Sequence, residues 1–168
     1  TIFSLAGREH FPAGYLRRLE SMQAGLSVAV VYLGVNRDYR ACFNSTHEIS
    51  RNETFDQHEN FRYAHEGNLQ KAGFSLCNYS VLDAGAAPAG KNALAITLLL
   101  PYDWRNRWSW DSGHDSYEAC KNEVALALIQ RAEEMLPGLR QHIEVMEVGT
   151  PLTMESFTMN PAGTIYGW

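Results

Sequence analysis

Two apolar runs dominate the pattern of hydrophobic and polar positions along the chain. Leu26 to Leu33 has apolar residues on both alternating faces, which is typical of a strand covered on both sides, and Gly34 is expected to end it. Leu94 to Leu100 is a second run of this kind, closed by Pro101, whose nitrogen cannot donate to a strand ladder. The pattern therefore predicts two central strands.

Weaker signals predict the rest of a sheet. Phe74 to Leu82 and Ile143 to Val148 are expected to be strands, and Thr46 to Ile49 is a shorter candidate. Asp83 to Gly90 is rich in glycine, alanine and proline, so it is predicted to be a loop.

Three segments have the three-and-four spacing of apolar residues that indicates an amphipathic helix. Pro12 to Met22 is a short one, and Thr54 to His65 is a weaker one. The longest is expected to begin at Asp115, with Glu118 completing a capping box, and to end before Pro137. Its predicted buried stripe consists of Tyr117, Cys120, Val124, Leu128, Ala132 and Met135.

These elements lack the regular alternation of strands and helices that marks a parallel sheet. Grouped strands favour the α+β class, with an antiparallel or mixed β-sheet and helices on one face. A length of 168 residues, with no internal repeat and no linker, suits a single domain over 1–168.

Composition and charge narrow the function classes. The chain is 45% hydrophobic and 20% charged, as in an ordinary globular domain, and its formal net charge is -5. Nucleic acid is disfavoured as a partner, because phosphate binding needs clustered positive charge. No apolar run reaches the ~20 residues of a membrane-spanning helix. Cys42, Cys77 and Cys120 are far apart and odd in number, which favours a reduced, cytoplasmic setting.

The residues give little support to nucleophilic catalysis or to a metal site. The chain has no Gly-x-Ser-x-Gly elbow, and Cys77 and Cys120 are interpreted as apolar core residues. His58 and His65 would share a helix face, but the tight His and Cys pairs of zinc sites are missing. We interpret these histidines as surface residues and predict no metal. A metal-dependent hydrolase is an alternative that stoichiometric zinc would support.

An aromatic cluster follows the second central strand. Trp104, Trp108 and Trp110 are interleaved with Arg105 and Arg107. One hypothesis is that these tryptophans cap the domain's own core. A second is peripheral contact with a membrane or an entrance for an apolar ligand, because Trp and Arg favour the interfacial zone. A nucleic-acid surface is disfavoured by the acidic chain.

The C-terminal stretch Gly149 to Trp168 concentrates residues with special backbone properties. Its three glycines and two prolines give a density that neither a helix nor a plain strand needs. A turn-rich connection is the structural interpretation, and a binding site is the functional one. Glu155 is the nearest acid, but a helical turn there would leave it in solvent, so no catalytic acid or base is assigned.

This stretch resembles the segment TP-x-T-x-x-x-(F/Y)-T-x-N-x-x-G-x-I-Y-G of the flavin-dependent phytoene desaturase, carotenoid isomerase and retinol saturase family. Two upstream runs agree in the same order, LSVAVVYLG from Leu26 to Gly34 and DAGAAPAGKNAL from Asp83 to Leu94. The matching residues of the last segment are Thr150, Pro151, Thr153, Phe157, Thr158, Asn160, Gly163, Ile165, Tyr166 and Gly167.

The resemblance implies a flavin amine-oxidase-like enzyme with FAD as cofactor. Its substrate would be an apolar polyene, such as a carotenoid or retinoid, that is desaturated, saturated or isomerised. The Gly-x-Gly-x-x-Gly turn that would hold the FAD pyrophosphate has no counterpart in these residues. We therefore expect an excerpt, the substrate-binding domain of a larger enzyme, which alone holds no FAD and catalyses nothing. The alternative is a non-catalytic module that binds an apolar ligand or a protein partner.

The resemblance also suggests site residues. Gly163, Tyr166 and Gly167 are expected beside the flavin, because glycine lets main chain approach a flat ring and the strand that carries them returns towards the flavin domain. The residues expected at the substrate, where aromatic rings would form an apolar wall, are Thr150, Pro151, Thr153, Tyr166 and Trp168.

Overall fold

The fold is α+β, as the order of the elements predicts. The computed structural model describes residues 2–167, and within them five strands form one antiparallel sheet in the order β2-β3-β4-β1-β5. The strands are β1 Ser27–Val35, β2 Glu48–Arg51, β3 Phe74–Asn78, β4 Asn92–Leu100 and β5 Ile143–Gly149. The helices are α1 Ile2–Ala6, α2 Ala13–Glu20, α3 Gln57–His65, α4 Tyr79–Leu82, α5 Trp104–Trp108, α6 His114–Ala132 and α7 Pro151–Thr158.

The two apolar runs form the centre of the sheet, which confirms their prediction. β1 and β4 pair along nine residues each, from Ser27 opposite Leu100 to Val35 opposite Asn92. Gly34 does not end β1 as expected, because the strand continues to Val35. A Cβ at Gly34 would lie only 3.3 Å from the Cβ of Val145, so the glycine allows β5 to lie close to β1.

One face of the sheet is covered by α6 and carries the main hydrophobic core. The predicted stripe is confirmed at five positions, which are buried in this helix: Tyr117, Cys120, Val124, Leu128 and Ala132. Met135 lies beyond the end of the helix. The capping box predicted at Asp115 is wrong. The helix begins at His114, and its N-cap residue is Gly113, which has a φ of 102° and provides no side-chain hydrogen bond to the helix. The positive φ makes Gly113 the residue that allows this start.

The opposite face of the sheet is shallow and partly open. Its centre consists of small buried residues, Val28, Val30 and Ala95. Towards β5, the exposed side chains of Tyr32 and Val145 flank a mainly apolar hollow of about 330 Å³. Within residues 2–167 the longest helix, α6, therefore packs on the other face of the sheet, in agreement with the predicted helices on one face.

The predicted strand Phe74 to Leu82 is too long. β3 stops at Asn78, whose side-chain oxygen accepts a hydrogen bond from the amide of Ser80 at 3.0 Å. This cap starts the helical turn α4, because it satisfies an amide hydrogen that the sheet no longer bonds. The predicted helices at the N-terminus and before His65 are present as α2 and α3, and β2 occupies the candidate strand near Ile49.

The tryptophan cluster mostly belongs to the core. Trp104 and Trp108 are buried, with 8% and 0% of their surfaces exposed, whereas Trp110 is 50% exposed. Between them the backbone turns left-handed, with φ between 47° and 59° at Arg105, Asn106, Arg107, Trp108 and Ser109. The hypothesis of membrane contact through Trp104 and Trp108 is thus corrected, because packing inside the domain removes both indoles from its surface. Within residues 2–167 no helix combines the length and apolar character that crossing a membrane requires.

Candidate functional site

The C-terminal stretch begins with a capped helix, so the helical turn considered around Glu155 is present as part of α7. Thr150 and Thr153 form a reciprocal capping box: the Thr150 hydroxyl accepts from the Thr153 amide at 3.4 Å, and the Thr153 hydroxyl accepts from the Thr150 amide at 3.1 Å. Pro151 occupies the first turn, where a missing amide hydrogen is harmless and a fixed φ is favourable. The TP-x-T part of the segment is therefore a helix start.

Thr150 and Pro151 hold this helix against the core. Both are buried, and the Thr150 hydroxyl lies 2.8 Å from the hydroxyl of Tyr117 on α6. Neither residue faces an open surface, so their expected role at a substrate has no geometric counterpart in this domain. Thr153, by contrast, is half-buried and lines a groove beside α7.

Gly163 lies beneath α7 with φ of 57°. Its carbonyl oxygen accepts a hydrogen bond from the Ser27 hydroxyl at 2.5 Å, and a Cβ at this position would overlap the carbonyl oxygen of Pro151. Backbone of the same chain lies close to this glycine. The group that approaches is the chain's own helix, so the space at Gly163 does not fit a flavin ring.

Residues 164–167 lie beside the entry to β1. The Gly25 amide donates to the Gly167 carbonyl at 2.8 Å, and the Ile165 amide donates to the Leu26 carbonyl at 3.4 Å. The expected strand is not formed, because these two bonds do not continue into a ladder and the segment is bent. Tyr166 is 87% exposed, and at Gly167, with φ of 85°, no atom other than those of the chain neighbours lies within 4 Å of an added Cβ. Trp168 lies outside the described residues.

Two depressions lie on either side of Tyr102, next to α7 and the segment that follows it. A groove of about 430 Å³ is lined by Tyr102, Arg107, Trp110, Tyr117, Leu152, Thr153, Glu155, Ser156 and Phe157. A cleft of about 700 Å³ is lined by Gln23, Ala24, Gly25, Leu26, Phe61, His65, Pro101, Tyr102, Asp103 and Ala162. Both are mainly apolar with a few polar groups, which is the usual character of a small-molecule site.

Tyr102 and Glu155 form a polar pair where the groove and the cleft meet. The Tyr102 hydroxyl donates to Glu155 at 2.5 Å, and the other carboxylate oxygen of Glu155 accepts from the Ala162 amide at 3.1 Å. Burial raises the pKa of Tyr102, and the hydrogen bond to the carboxylate raises it further. The phenol therefore keeps its proton at neutral pH. The guanidinium carbon of Arg107 lies 5.8 Å from the centre of the Tyr102 ring.

No sequence pattern distinguishes Tyr102, and the sequence predicts that Glu155 is solvated. In the structure Glu155 is half-buried, and both of its carboxylate oxygens accept hydrogen bonds. The available signal was position: Tyr102 follows the proline that closes β4, and strand ends are common places for functional side chains.

The histidines and cysteines do not form a second centre in the described part of the chain. His65 lines the cleft with its ring centre 6.0 Å from that of Phe61. Across residues 2–167, no three His, Cys, Asp or Glu side chains gather in a geometry suited to a metal ion. Burial raises the pKa of the Cys77 thiol, which makes it a poorer nucleophile at neutral pH.

Over about half of its length the chain is homologous to carotenoid- and retinoid-modifying oxidoreductases, which confirms the resemblance seen in its segments. The chloroplastic prolycopene isomerase of Arabidopsis thaliana is 40% identical over 90 residues, and that of Daucus carota is 39% identical over 90 residues. The all-trans-retinol 13,14-reductase of Danio rerio is 27% identical over 81 residues.

The shared region is a small part of these relatives. It covers 52% of this chain but 14% of the Arabidopsis enzyme, and 46% of this chain but 13% of the Danio rerio enzyme. No protein-family profile matches the chain.

Proposed function

We propose that the chain is the substrate-side domain of an FAD-dependent oxidoreductase that desaturates, saturates or isomerises a polyene. The observation that carries this proposal is its similarity to two kinds of enzyme, one named for prolycopene and one for retinol. Both names denote long conjugated isoprenoids. The shared region therefore supports a polyene as the substrate class, whichever reaction is performed on it.

The residues expected beside the flavin fit that role unequally. Tyr166 is exposed, and apart from the chain neighbours no atom lies within 4 Å of a Cβ added at Gly167, which supports the approach of a flat ring from that side. Gly163 is packed against Pro151 and supports the helix instead. When bound, FAD would supply hydride transfer, and the role of this chain is to orient the polyene and to keep water away from it.

The groove and the cleft are the proposed substrate surface. Their apolar area suits a hydrocarbon chain, and Phe61, Trp110 and Phe157 offer exposed aromatic surface around them. Thr153 is the predicted substrate residue that lines the groove. Burying an apolar chain against such a surface is favourable by about 25 cal/mol per Å² of area removed from water.

The cofactor part of the proposal predicts that the 168-residue chain alone is colourless. Purified chain is expected to show no flavin absorption and no turnover of polyenes, whereas the product of its complete reading frame is expected to carry FAD and to convert a polyene. The measurement is a visible absorption scan, followed by chromatographic analysis of the polyene. A stoichiometric flavin in the isolated chain would contradict the excerpt interpretation.

The rival function is a non-catalytic module that binds an apolar ligand. If the chain has this function, the product of the complete reading frame stays colourless, binds polyenes and leaves them unchanged. The same two measurements therefore separate the two functions. A product that neither holds FAD nor binds a polyene would exclude both.

A further inference from the structure

We propose that a pocket between α2 and the C-terminal segment binds a small, neutral aromatic molecule with one hydrogen-bonding group, and that Thr164 bonds to that group. The pocket has a volume of about 470 Å³, within the range of about 300 to 1,000 Å³ that is usual for small-molecule sites. It shares Ala24 with the cleft and, among residues 2–167, no residue with the groove. Because this site is separate from the groove, the inference does not depend on the proposed function.

One wall of the pocket is the apolar side of α2. Tyr15 and Leu19 lie on this side, four positions apart, and both line the pocket. An amphipathic helix normally buries its apolar side against the core. In α2, however, no residue is buried, and Tyr15 is 45% exposed. The apolar side of this helix is therefore available to a ligand.

Aromatic contacts give this wall a defined shape. Phe3, which also lines the pocket, meets Phe11 edge to face with ring centres 5.0 Å apart, and Phe11 stacks on Tyr15 at 5.8 Å. These contacts hold α1 against α2, and an ion pair between Arg8 and Glu20 adds a second connection. Two aromatic rings, those of Phe3 and Tyr15, thus face the pocket in fixed positions. Packing between rings favours an aromatic ligand beside them.

The opposite wall contains a hydroxyl group without a partner. Thr164 lines the pocket and is only 4% exposed. Its amide donates to the Pro161 carbonyl at 3.3 Å, and its carbonyl accepts from the side-chain amide of Asn160 at 3.1 Å. Its hydroxyl forms no hydrogen bond to any other group of residues 2–167. A buried polar group without a partner is unfavourable, so a ligand that bonds to this hydroxyl gains free energy from it.

Charge at the pocket favours a neutral ligand. In the described part of the chain, Glu20 is the one acidic or basic side chain that lines the pocket, and it is paired with Arg8. An anionic ligand would be repelled by the Glu20 carboxylate, and a cationic ligand would compete with Arg8 for it. A neutral ligand meets neither cost.

The test uses 1-aminoanthracene, a neutral aromatic amine whose fluorescence rises in apolar surroundings. Its dissociation constant for the purified chain is measured by fluorescence titration. We expect saturable binding that Thr164→Val weakens about three- to tenfold, the effect of losing one neutral hydrogen bond, and that Thr164→Ser preserves. Thr97→Val, the same chemical change at a half-buried position of β4 outside the pocket, is the control and is expected to leave the constant unchanged.

A second variant, Leu19→Trp, tests where the probe binds. The larger side chain is expected to fill the pocket and to abolish binding, and the fold should tolerate it because no residue of α2 is buried. Leu126→Trp, the same change at a half-exposed position of α6, is its control and should leave binding intact. Thermal unfolding of each variant is recorded first, and Met22→Trp, which also alters the lining of the pocket, replaces Leu19→Trp if that variant does not unfold cooperatively.

Three outcomes would overturn the inference. Binding that survives Leu19→Trp would mean that the probe lies in the groove or the cleft. Binding that is lost in Leu19→Trp but unchanged in Thr164→Val would show that Thr164 does not recognise the ligand. Absence of binding to the folded chain would exclude the site itself. None of these outcomes decides the polyene proposal, which the absorption scan and the analysis of polyenes test separately.

Discussion

Replacing Trp108 with alanine is expected to lower the free energy of unfolding by about 3 to 5 kcal/mol, the usual cost of removing a fully buried aromatic side chain. Trp108 has no exposed surface, and its ring centre lies 4.9 Å from that of Trp104. The left-handed turn around it depends on this packing. Five consecutive non-glycine residues at positive φ are each unfavourable by roughly 1 kcal/mol or more, so tertiary packing must hold this turn in place.

Two matched variants identify the cause of the Trp108 effect. Trp110→Ala removes the same side chain from a half-exposed position and is expected to cost less than about 1 kcal/mol. Trp108→Phe should cost less than Trp108→Ala, because it keeps a ring in the core and the indole nitrogen has no hydrogen-bond partner within residues 2–167. Urea unfolding followed by circular dichroism measures all three. Equal losses for Trp108→Ala and Trp110→Ala would contradict the assignment of Trp108 to the core.

Periodicity was sufficient for the centre of the fold. The two apolar runs predict β1 and β4, because nearly every position in each run is an apolar residue that must be buried. Two neighbouring central strands bury these residues. The stripe on α6 was equally readable, because helical spacing identifies the side that faces the sheet. Hydrophobic burial acts over whole elements, so its pattern survives in the sequence.

Local backbone chemistry was harder to predict. Several residue types can precede a helix, and the N-cap of α6 is Gly113 rather than Asp115. The capping box of α7 uses Thr153 where glutamate or glutamine is usual, so the TP-x-T pattern was not interpreted as a helix start. The left-handed turn from Arg105 to Ser109 contains no glycine, although glycine is the residue from which a positive φ is normally predicted. In each case tertiary packing decides between local conformations of similar free energy.

The sequence predicts the region of the candidate site but not the role of each residue in it. Segment resemblance located α7 and the residues after it, but it did not separate residues that support the helix from residues that face the groove. Thr150 belongs to the first kind and Thr153 to the second, although they are three positions apart. Tyr102 is 53 positions from its partner Glu155, and no local pattern encodes a contact at that separation.

Replacing Gly163 with alanine is expected to lower the free energy of unfolding by about 3 kcal/mol, through the combined cost of a positive φ and of overpacking. The added Cβ would overlap the carbonyl oxygen of Pro151 and would lie 3.0 Å from the amide nitrogen of Glu155. Both atoms belong to α7, so the helix must move away from the segment that follows it. That movement would also disturb the bond between Glu155 and the Ala162 amide, and with it the polar pair that Glu155 forms with Tyr102.

Gly90→Ala is the matched control, because Gly90 also has a positive φ, of 78°, but no neighbouring atom within 4 Å of an added Cβ. It is expected to cost about 1 kcal/mol, the backbone strain alone. Chemical denaturation gives both values, and retinol titration of the same samples shows whether the groove is affected. If Gly163 were an unoccupied approach point for a flavin ring rather than a support for α7, alanine would be tolerated there as well as at Gly90. Equal costs at the two glycines would therefore favour a place for Gly163 in the cofactor site. A larger cost at Gly163 would show that the packing of the domain itself requires this glycine of the resembling segment.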